Sequence, residues 1–148
     1  MAKSRPITGL RSSGKFKMCD NSTSDAPRQI YDELAAGRPV GAAFHALVDA
    51  NGNANWSYVH YATVTFPDFK CPADGSEPPY KGGHAVCIVG FEPDPNGASG
   101  GHFIFKNSFG GGYPAVKIPG WGPGYGRISS YDVQRFCWEL MFLTKDFV

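Results

Sequence analysis

The chain has 148 residues, a length typical of one domain that can bury a sizeable core. Its 42% hydrophobic, 18% charged and 14% aromatic content argues against a disordered chain. The formal net charge of +1 gives no electrostatic basis for binding nucleic acid or an acidic membrane, so we expect neither as a partner. We expect a single domain over 1–148, with a poorly defined N-terminal segment over 1–25.

No apolar run reaches the roughly 20 residues that a membrane-spanning helix needs, and no apolar stretch typical of a signal peptide follows the basic start. The four cysteines are Cys19, Cys71, Cys87 and Cys137. They contain no C-x-x-C pair, and the histidines lack the spacing of metal ligands, so we expect neither a metal nor a cofactor. The four cysteines permit three disulfide pairings and their spacing selects none, which leaves the compartment unknown.

The first third of the chain predicts one helix. Residues 1–25 are polar and rich in turn-forming residues, and they predict an edge strand or a loop. Asp25 followed by Pro27 is typical of a helix start, and Gly37 is typical of a helix end. These signals predict a helix over about 27–36.

The middle of the chain predicts strands. Apolar residues alternate over 40–48, which predicts a strand with one buried face, and the β-branched and aromatic residues of 58–66 predict another strand or two. The proline-rich stretch 67–83 predicts a loop. The apolar runs 84–91 and 102–107 flank a loop rich in Pro, Asn and Gly and therefore predict a hairpin.

The last third is rich in glycine and predicts a loop with one short strand over 116–118. Ser129 or Ser130 is a candidate cap for a helical turn over 131–136, and 138–143 predicts a closing strand. Together these elements predict an α+β domain. It would have one mostly antiparallel sheet or partial barrel and one or two short helices.

The predicted hairpin brings His84 and Asn107 to the same end of the sheet, because His84 begins the first strand and Asn107 ends the second. An imidazole that acts as a general base needs a second group to hold its ring and its tautomer, and an amide can do this. We therefore expect the two side chains within roughly 2.6–3.2 Å of each other. Gly83 leaves room for a substrate to approach the ring.

Two segments around these residues, 82–91 (GGHAVCIVGF) and 105–110 (FKNSFG), resemble the histidine and asparagine motifs of the papain-like (C1 family) cysteine peptidases. Three further segments are similar to parts of the right-hand, β-rich domain of that family. They are residues 34–40, 121–128 and 131–139. The resemblance thus covers most of the chain, about 27–143.

The resemblance implies a papain-like right-hand domain that hydrolyses peptide bonds by thiolate acyl transfer. It implies that His84 is the general base and the imidazolium partner of the thiolate, and that Asn107 accepts the ring N–H of His84. The family usually has tryptophan at the position of Phe109, where the ring shields the hydrogen bond between asparagine and histidine from water. Phe109 can still cover that bond.

The nucleophile of the family is absent from the sequence. The cysteine of the family lies in a C-G-[SA]-C-[WY] context about 130–150 residues before the histidine and asparagine. Here 83 residues precede His84 and they contain no such motif. We therefore expect a left-hand, Cys-bearing segment or chain as the partner, and no activity from the isolated chain. Cys19 is a candidate nucleophile because the nearby Lys15 and Lys17 can lower the pKa of its thiol. It is the weaker candidate because it lacks the family motif.

Two functions stay open at this point. The first is half of a cysteine peptidase, with a peptide or protein substrate bound between the two halves. The second is a catalytically inactive papain-like module that acts as a binding or structural subunit. The retention of both His84 and Asn107 favours the first, and the lack of a nucleophile favours the second. The aromatic residues Tyr113, Trp121 and Tyr125 either pack the ends of loops, which we prefer, or line a ligand groove.

Overall fold

The computed structural model describes residues 10–15, 25–47, 55–57, 63–64, 82–97, 100–113 and 117–143. This part of the chain forms two helices and a 3-10 turn packed against one sheet. The elements in chain order are β1 (Leu10–Lys15), α1 (Ala26–Ala35), β2 (Val40–His45), the 3-10 turn (Asn55–Ser57), β3 (Thr63–Val64), β4 (Gly83–Pro93), β5 (Gly101–Lys106), β6 (Tyr125–Ser129), α2 (Ser130–Phe136) and β7 (Cys137–Leu143).

The sheet has seven strands in the order β1-β7-β2-β4-β5-β6-β3. All neighbouring pairs are antiparallel except β3 and β6, which run parallel. The α+β class with a mostly antiparallel sheet is therefore confirmed, and β1 is an edge strand as the polar N-terminal segment predicted. Over the described residues the sheet stays open and does not close into a barrel.

Helix α1 agrees with its prediction to within one residue at either end. Pro27 lies in the first turn, where its missing N–H has no helical partner to lose. The Asp25 side chain does not cap the helix and instead accepts a hydrogen bond from Gln29. Ile30 is fully buried against the sheet, and Gly37 follows the helix with a positive φ of 75°, a conformation that glycine adopts without strain.

Helix α2 begins where the serine signal predicted. Ser129 is its N-cap, and its Oγ accepts a hydrogen bond from the backbone N–H of Asp132 at 3.0 Å. Val133 and Phe136 are the buried residues of this helix. The closing strand is also confirmed, as β7. Neither helix in the described ranges is long and apolar enough to cross a membrane.

Two predicted strands differ from the structure. Strand β2 ends at His45, and both of its faces are buried, whereas the alternation predicted one. Its second face carries short residues covered by longer neighbours, as when Met141 lies over Gly41. The short strand predicted at 116–118 is wrong for residues 117–118, because they lie in a loop where the Ile118 carbonyl accepts the Trp121 N–H at 3.0 Å.

The predicted hairpin is confirmed as β4 and β5, which pair antiparallel with Lys106 opposite Cys87. Asn107 follows Lys106 and therefore leaves the sheet at the level of Val86, which is two residues after His84 on β4. Of the strand predicted over 58–66, the structure describes β3 alone. The loop predicted over 67–83 lies mostly outside the described residues, as do Cys19 and Cys71.

Candidate functional site

The site lies at the end of the sheet where β4 begins. His84 is the second residue of β4 and pairs with Phe44 of β2. Its ring Nε2 lies 2.9 Å from Oδ1 of Asn107, the first residue after β5. The predicted contact between the two side chains is therefore confirmed.

Backbone hydrogen bonds fix the orientation of the Asn107 amide. Its own N–H donates to the Gly124 carbonyl at 2.9 Å, and the Ser108 N–H donates to Asn107 Oδ1 at 2.8 Å. Because a backbone N–H can only donate, the amide atom that faces both Ser108 and His84 is the oxygen. His84 must then carry its proton on Nε2, so the neutral ring has a free lone pair on Nδ1. This is the tautomer that a base acting through Nδ1 requires.

Two aromatic rings contact the imidazole. The Trp56 ring centroid lies 4.6 Å from that of His84, and the Phe109 centroid lies 5.0 Å away. Trp56 is 3% exposed and Phe109 is 43% exposed. The histidine thus has a fully buried aromatic neighbour on the core side and a partly solvent-exposed one. Phe109 packs against His84, and its covering of the hydrogen bond to Asn107 stays a prediction.

Trp56 is a site residue that the sequence did not predict. Its Nε1 donates to the His45 carbonyl at 3.3 Å, which ties the indole to the end of β2. Two hydrogen bonds hold the 3-10 turn that contains Trp56 against Leu47. Leu47 N–H donates to Asn55 Oδ1 at 3.2 Å, and Asn55 N–H donates to the Leu47 carbonyl at 2.9 Å. No motif or periodicity singles out a tryptophan in a turn, so this contact follows from tertiary structure alone.

The environment keeps His84 neutral. Burial lowers the pKa of His84 below its ordinary value of 6.5, because the charged ring loses water, and the hydrogen bond to Asn107 offsets part of this. At neutral pH the ring is therefore available as a base and not already protonated.

The glycines before His84 have different roles. Gly82 has a φ of 140°, in the region that favours glycine. Gly83 is exposed beside His84, but a Cβ there would make ordinary contacts, 3.5 Å from the Phe44 carbonyl and 3.6 Å from Trp138 Nε1. Gly83 is therefore not needed for space within the chain, and its place in a cleft stays a prediction.

The two cysteines in the described ranges do not provide a thiolate beside His84. Cys137 and His84 each pair with Phe44, from opposite sides, so they share a face of the sheet about 9–10 Å apart with Phe44 between them. Cys137 is 1% exposed, and burial raises its pKa to about 12, so the thiol stays protonated. Cys87 lies three residues along β4 from His84 and therefore on the opposite face.

The remaining candidates from the sequence are metal-ligating side chains and three aromatic residues. The described stretches contain no group of three His, Cys, Asp or Glu side chains that could hold a metal ion. Trp121 and Tyr125 pack together with centroids 5.3 Å apart, and Trp121 Nε1 donates to Glu92 at 3.2 Å. Tyr113 instead lies on the site side, with its ring edge-to-face against Phe109 at 5.7 Å.

No protein-family model and no curated protein matches the sequence. Among solved structures, the chain is similar to the crystal structure of PepW from Lactobacillus rhamnosis HN001 (DR20), with a TM-score of 0.48 and 15% sequence identity. The similarity covers 82% of this chain and 26% of that chain, so this chain spans about a quarter of the length of PepW. A likeness at this level carries no argument about function, which depends on the site itself.

Proposed function

We propose that this chain supplies the base and the orienting amide of a papain-like cysteine peptidase whose thiolate lies on another segment or chain. The observation that carries the proposal is the 2.9 Å hydrogen bond between His84 Nε2 and Asn107 Oδ1. With Ser108 fixing the amide, this bond leaves Nδ1 of His84 free to accept a proton. Activation of a thiol requires a neutral imidazole whose ring is held in a fixed orientation.

In the proposed reaction Nδ1 of His84 takes the proton of the partner's thiol, and the thiolate attacks the carbonyl carbon of a peptide bond. The C–N bond breaks as the imidazolium gives its proton to the leaving amine. Water then attacks the acyl-thioester while His84 removes its proton, which releases the carboxylic acid product and regenerates the thiol. Asn107 holds the ring through both halves of the cycle.

The thiolate partner would also change the charge state of His84. Burial lowers the pKa of this histidine in the chain alone. A thiolate within about 4–6 Å would favour the protonated ring and raise that pKa again. The thiolate–imidazolium pair would therefore form when the two halves meet. Phe109, at 43% exposure, would lie at the junction and exclude water from the pair.

The second candidate function is a catalytically inactive papain-like module that binds a partner or serves as a structural subunit. The chemistry of the described thiols favours it. Cys137 has a pKa raised to about 12 and lies behind Phe44, and Cys87 points to the other face. In this case the pair of His84 and Asn107 is retained for structure, with no acyl transfer.

Covalent labelling in the presence of the natural partner tests the proposal. The tagged chain is purified from its own cells and treated with an epoxysuccinyl-peptide probe, which alkylates activated cysteines of peptidases. We expect the probe on a cysteine of a co-purifying polypeptide, or of a segment joined to this chain. His84→Ala should abolish this labelling, and Asn107→Ala should reduce it by at least about tenfold, because an unoriented base loses most of its effect.

His102→Ala is the matched control. His102 lies at the start of β5, about 16 Å along the strand from Asn107, and its loss should leave the labelling unchanged. Labelling of the partner that persists in His84→Ala would refute the proposal. A complex that takes up no probe on any cysteine would refute it as well, and would favour the inactive module.

A further inference from the structure

Two buried polar atoms beside the His84–Asn107 pair have no hydrogen bond within the described structure. They are Nδ2 of Asn107 and the hydroxyl oxygen of Tyr113. Asn107 is 4% exposed and Tyr113 is 1% exposed, so bulk water does not reach either side chain. Buried polar atoms of folded proteins nearly always have a partner, so each of these atoms calls for one.

The backbone holds Asn107 and Tyr113 next to each other. Asn107 N–H donates to the carbonyl of Gly124, and the N–H of the same Gly124 donates to the carbonyl of Tyr113. A third bond, from Tyr113 N–H to the Gly110 carbonyl at 3.3 Å, forms a turn in the loop that joins the two residues. Both residues are therefore anchored on one glycine, and the side chains of both are buried.

The chemistry of the two atoms is complementary. Nδ2 of Asn107 is a donor, and a tyrosine hydroxyl oxygen accepts. Burial raises the pKa of Tyr113, whereas the Asn107 amide acts in the opposite direction, as a donor to the phenol oxygen does. Because Asn107 Oδ1 faces His84 and Ser108, Nδ2 is the atom of that amide that can donate to Tyr113.

Gly126 of β6 makes space for the hydroxyl at this depth. A Cβ at Gly126 would lie 2.8 Å from the Tyr113 oxygen and 2.5 Å from Cζ of Phe105, closer than real Cβ contacts. The Phe109 ring covers Tyr113 from outside, edge-to-face at 5.7 Å. The tyrosine hydroxyl is therefore held beside Gly126 and Phe105, and the ring is packed against Phe109.

We propose that Tyr113 is a positioning residue for Asn107. Its hydroxyl accepts the amide N–H of Asn107, and this holds Oδ1 toward His84 and keeps the His84 proton on Nε2. The catalytic consequence rests on the proposed function, but the coupling from Tyr113 through Asn107 to His84 does not require it. Phenylalanine at position 113 would keep the packing and lose the coupling.

An NMR titration of the His84 ring tests the coupling in the chain as it stands. The midpoint is compared for the unmodified chain, Tyr113→Phe, Asn107→Ala and the double variant. Because the hydrogen bond to Asn107 raises the pKa of His84, we expect Tyr113→Phe to move the midpoint to lower pH. Asn107→Ala should move it further, and adding Tyr113→Phe to Asn107→Ala should change nothing more.

Tyr125→Phe is the matched control, since it removes a hydroxyl from β6 that does not act through Asn107, and it should leave the midpoint unchanged. A folded Tyr113→Phe chain with the unmodified midpoint would overturn the proposal. Where Tyr113→Phe does not fold, the unmodified chain decides. Cross-relaxation between the Asn107 side-chain amide protons and the Tyr113 ring supports the proposal, and its absence refutes it.

The titration also separates the two proposals of function and positioning. A shifted midpoint combined with no His84-dependent labelling in the complex would refute the peptidase and keep the positioning role. An unchanged midpoint in Tyr113→Phe combined with His84-dependent labelling would refute the positioning role and keep the peptidase.

Discussion

The two ends of β4 pack against the rest of the chain in different ways. At its far end Phe91 packs against the buried ring of Phe103, with centroids 4.9 Å apart, and edge-to-face against the half-exposed Tyr31 of α1 at 5.5 Å. At its near end His84 lies among aromatic rings with Asn107 and Tyr113, and two buried polar atoms of that group have no hydrogen bond in the described structure. Burying polar groups without a partner costs stability, so the proposed bond between Asn107 and Tyr113 would matter most at this end.

The largest expected effect is the complete absence of covalent labelling and of peptide hydrolysis in the chain alone. The chain alone should take up no epoxysuccinyl-peptide probe selectively and hydrolyse no peptide substrate. The reason is that Cys137, the described thiol on the His84 face, has a pKa raised to about 12. Mass spectrometry of the treated chain measures this. Selective labelling of Cys19 that is lost in His84→Ala would place the nucleophile in this chain and refute a partner-borne cysteine.

Stability should differ strongly between the two regions. Phe103→Ala at the Phe91 end should lower the free energy of unfolding by about 3–5 kcal/mol, because Phe103 is fully buried and its loss leaves a cavity. Phe109→Ala at the His84 end should cost about 1 kcal/mol or less, since Phe109 is 43% exposed. Urea unfolding of both variants checks this. Equal losses would show that the His84 end is core and not site.

The pH dependence of stability should come partly from the His84 end. Burial lowers the pKa of His84 in the folded chain, so between that pKa and 6.5 the unfolded chain binds more protons. Stability should therefore fall as pH decreases from 6.5 through the folded pKa, and be unaffected by this residue above 6.5. His84→Gln should flatten this part of the curve, as measured by urea midpoints from pH 8 to pH 4. A curve unchanged by His84→Gln would contradict a His84 pKa that burial lowers.

Much of the fold follows from local signals in the sequence. Pro27 and Gly37 set the limits of α1, Ser129 begins α2, and the two apolar runs around a loop gave the hairpin. The contact between His84 and Asn107 follows from that hairpin, because residues at the start of one strand and after the end of its neighbour must meet. These are all consequences of short-range patterns.

Features that depend on neighbours from distant parts of the chain were not predictable. The second buried face of β2 results from residues of β7 such as Met141 covering Gly41. Trp56 reaches His84 because a 3-10 turn is tied to the end of β2, and no spacing encodes this. The sequence placed Tyr113 among packed aromatic residues, but its buried hydroxyl next to Asn107 is a three-dimensional property.

The tautomer of His84 tests most directly whether its ring is an oriented base, because the proposed reaction needs an unprotonated Nδ1. Nitrogen-15 NMR of the neutral His84 ring in the unmodified chain distinguishes a protonated from an unprotonated ring nitrogen. We predict a proton on Nε2 and a lone pair on Nδ1, and a mixture of the two tautomers in Asn107→Ala. A proton on Nδ1 in the unmodified chain would contradict the account, because the nitrogen that must accept the thiol proton would already be occupied.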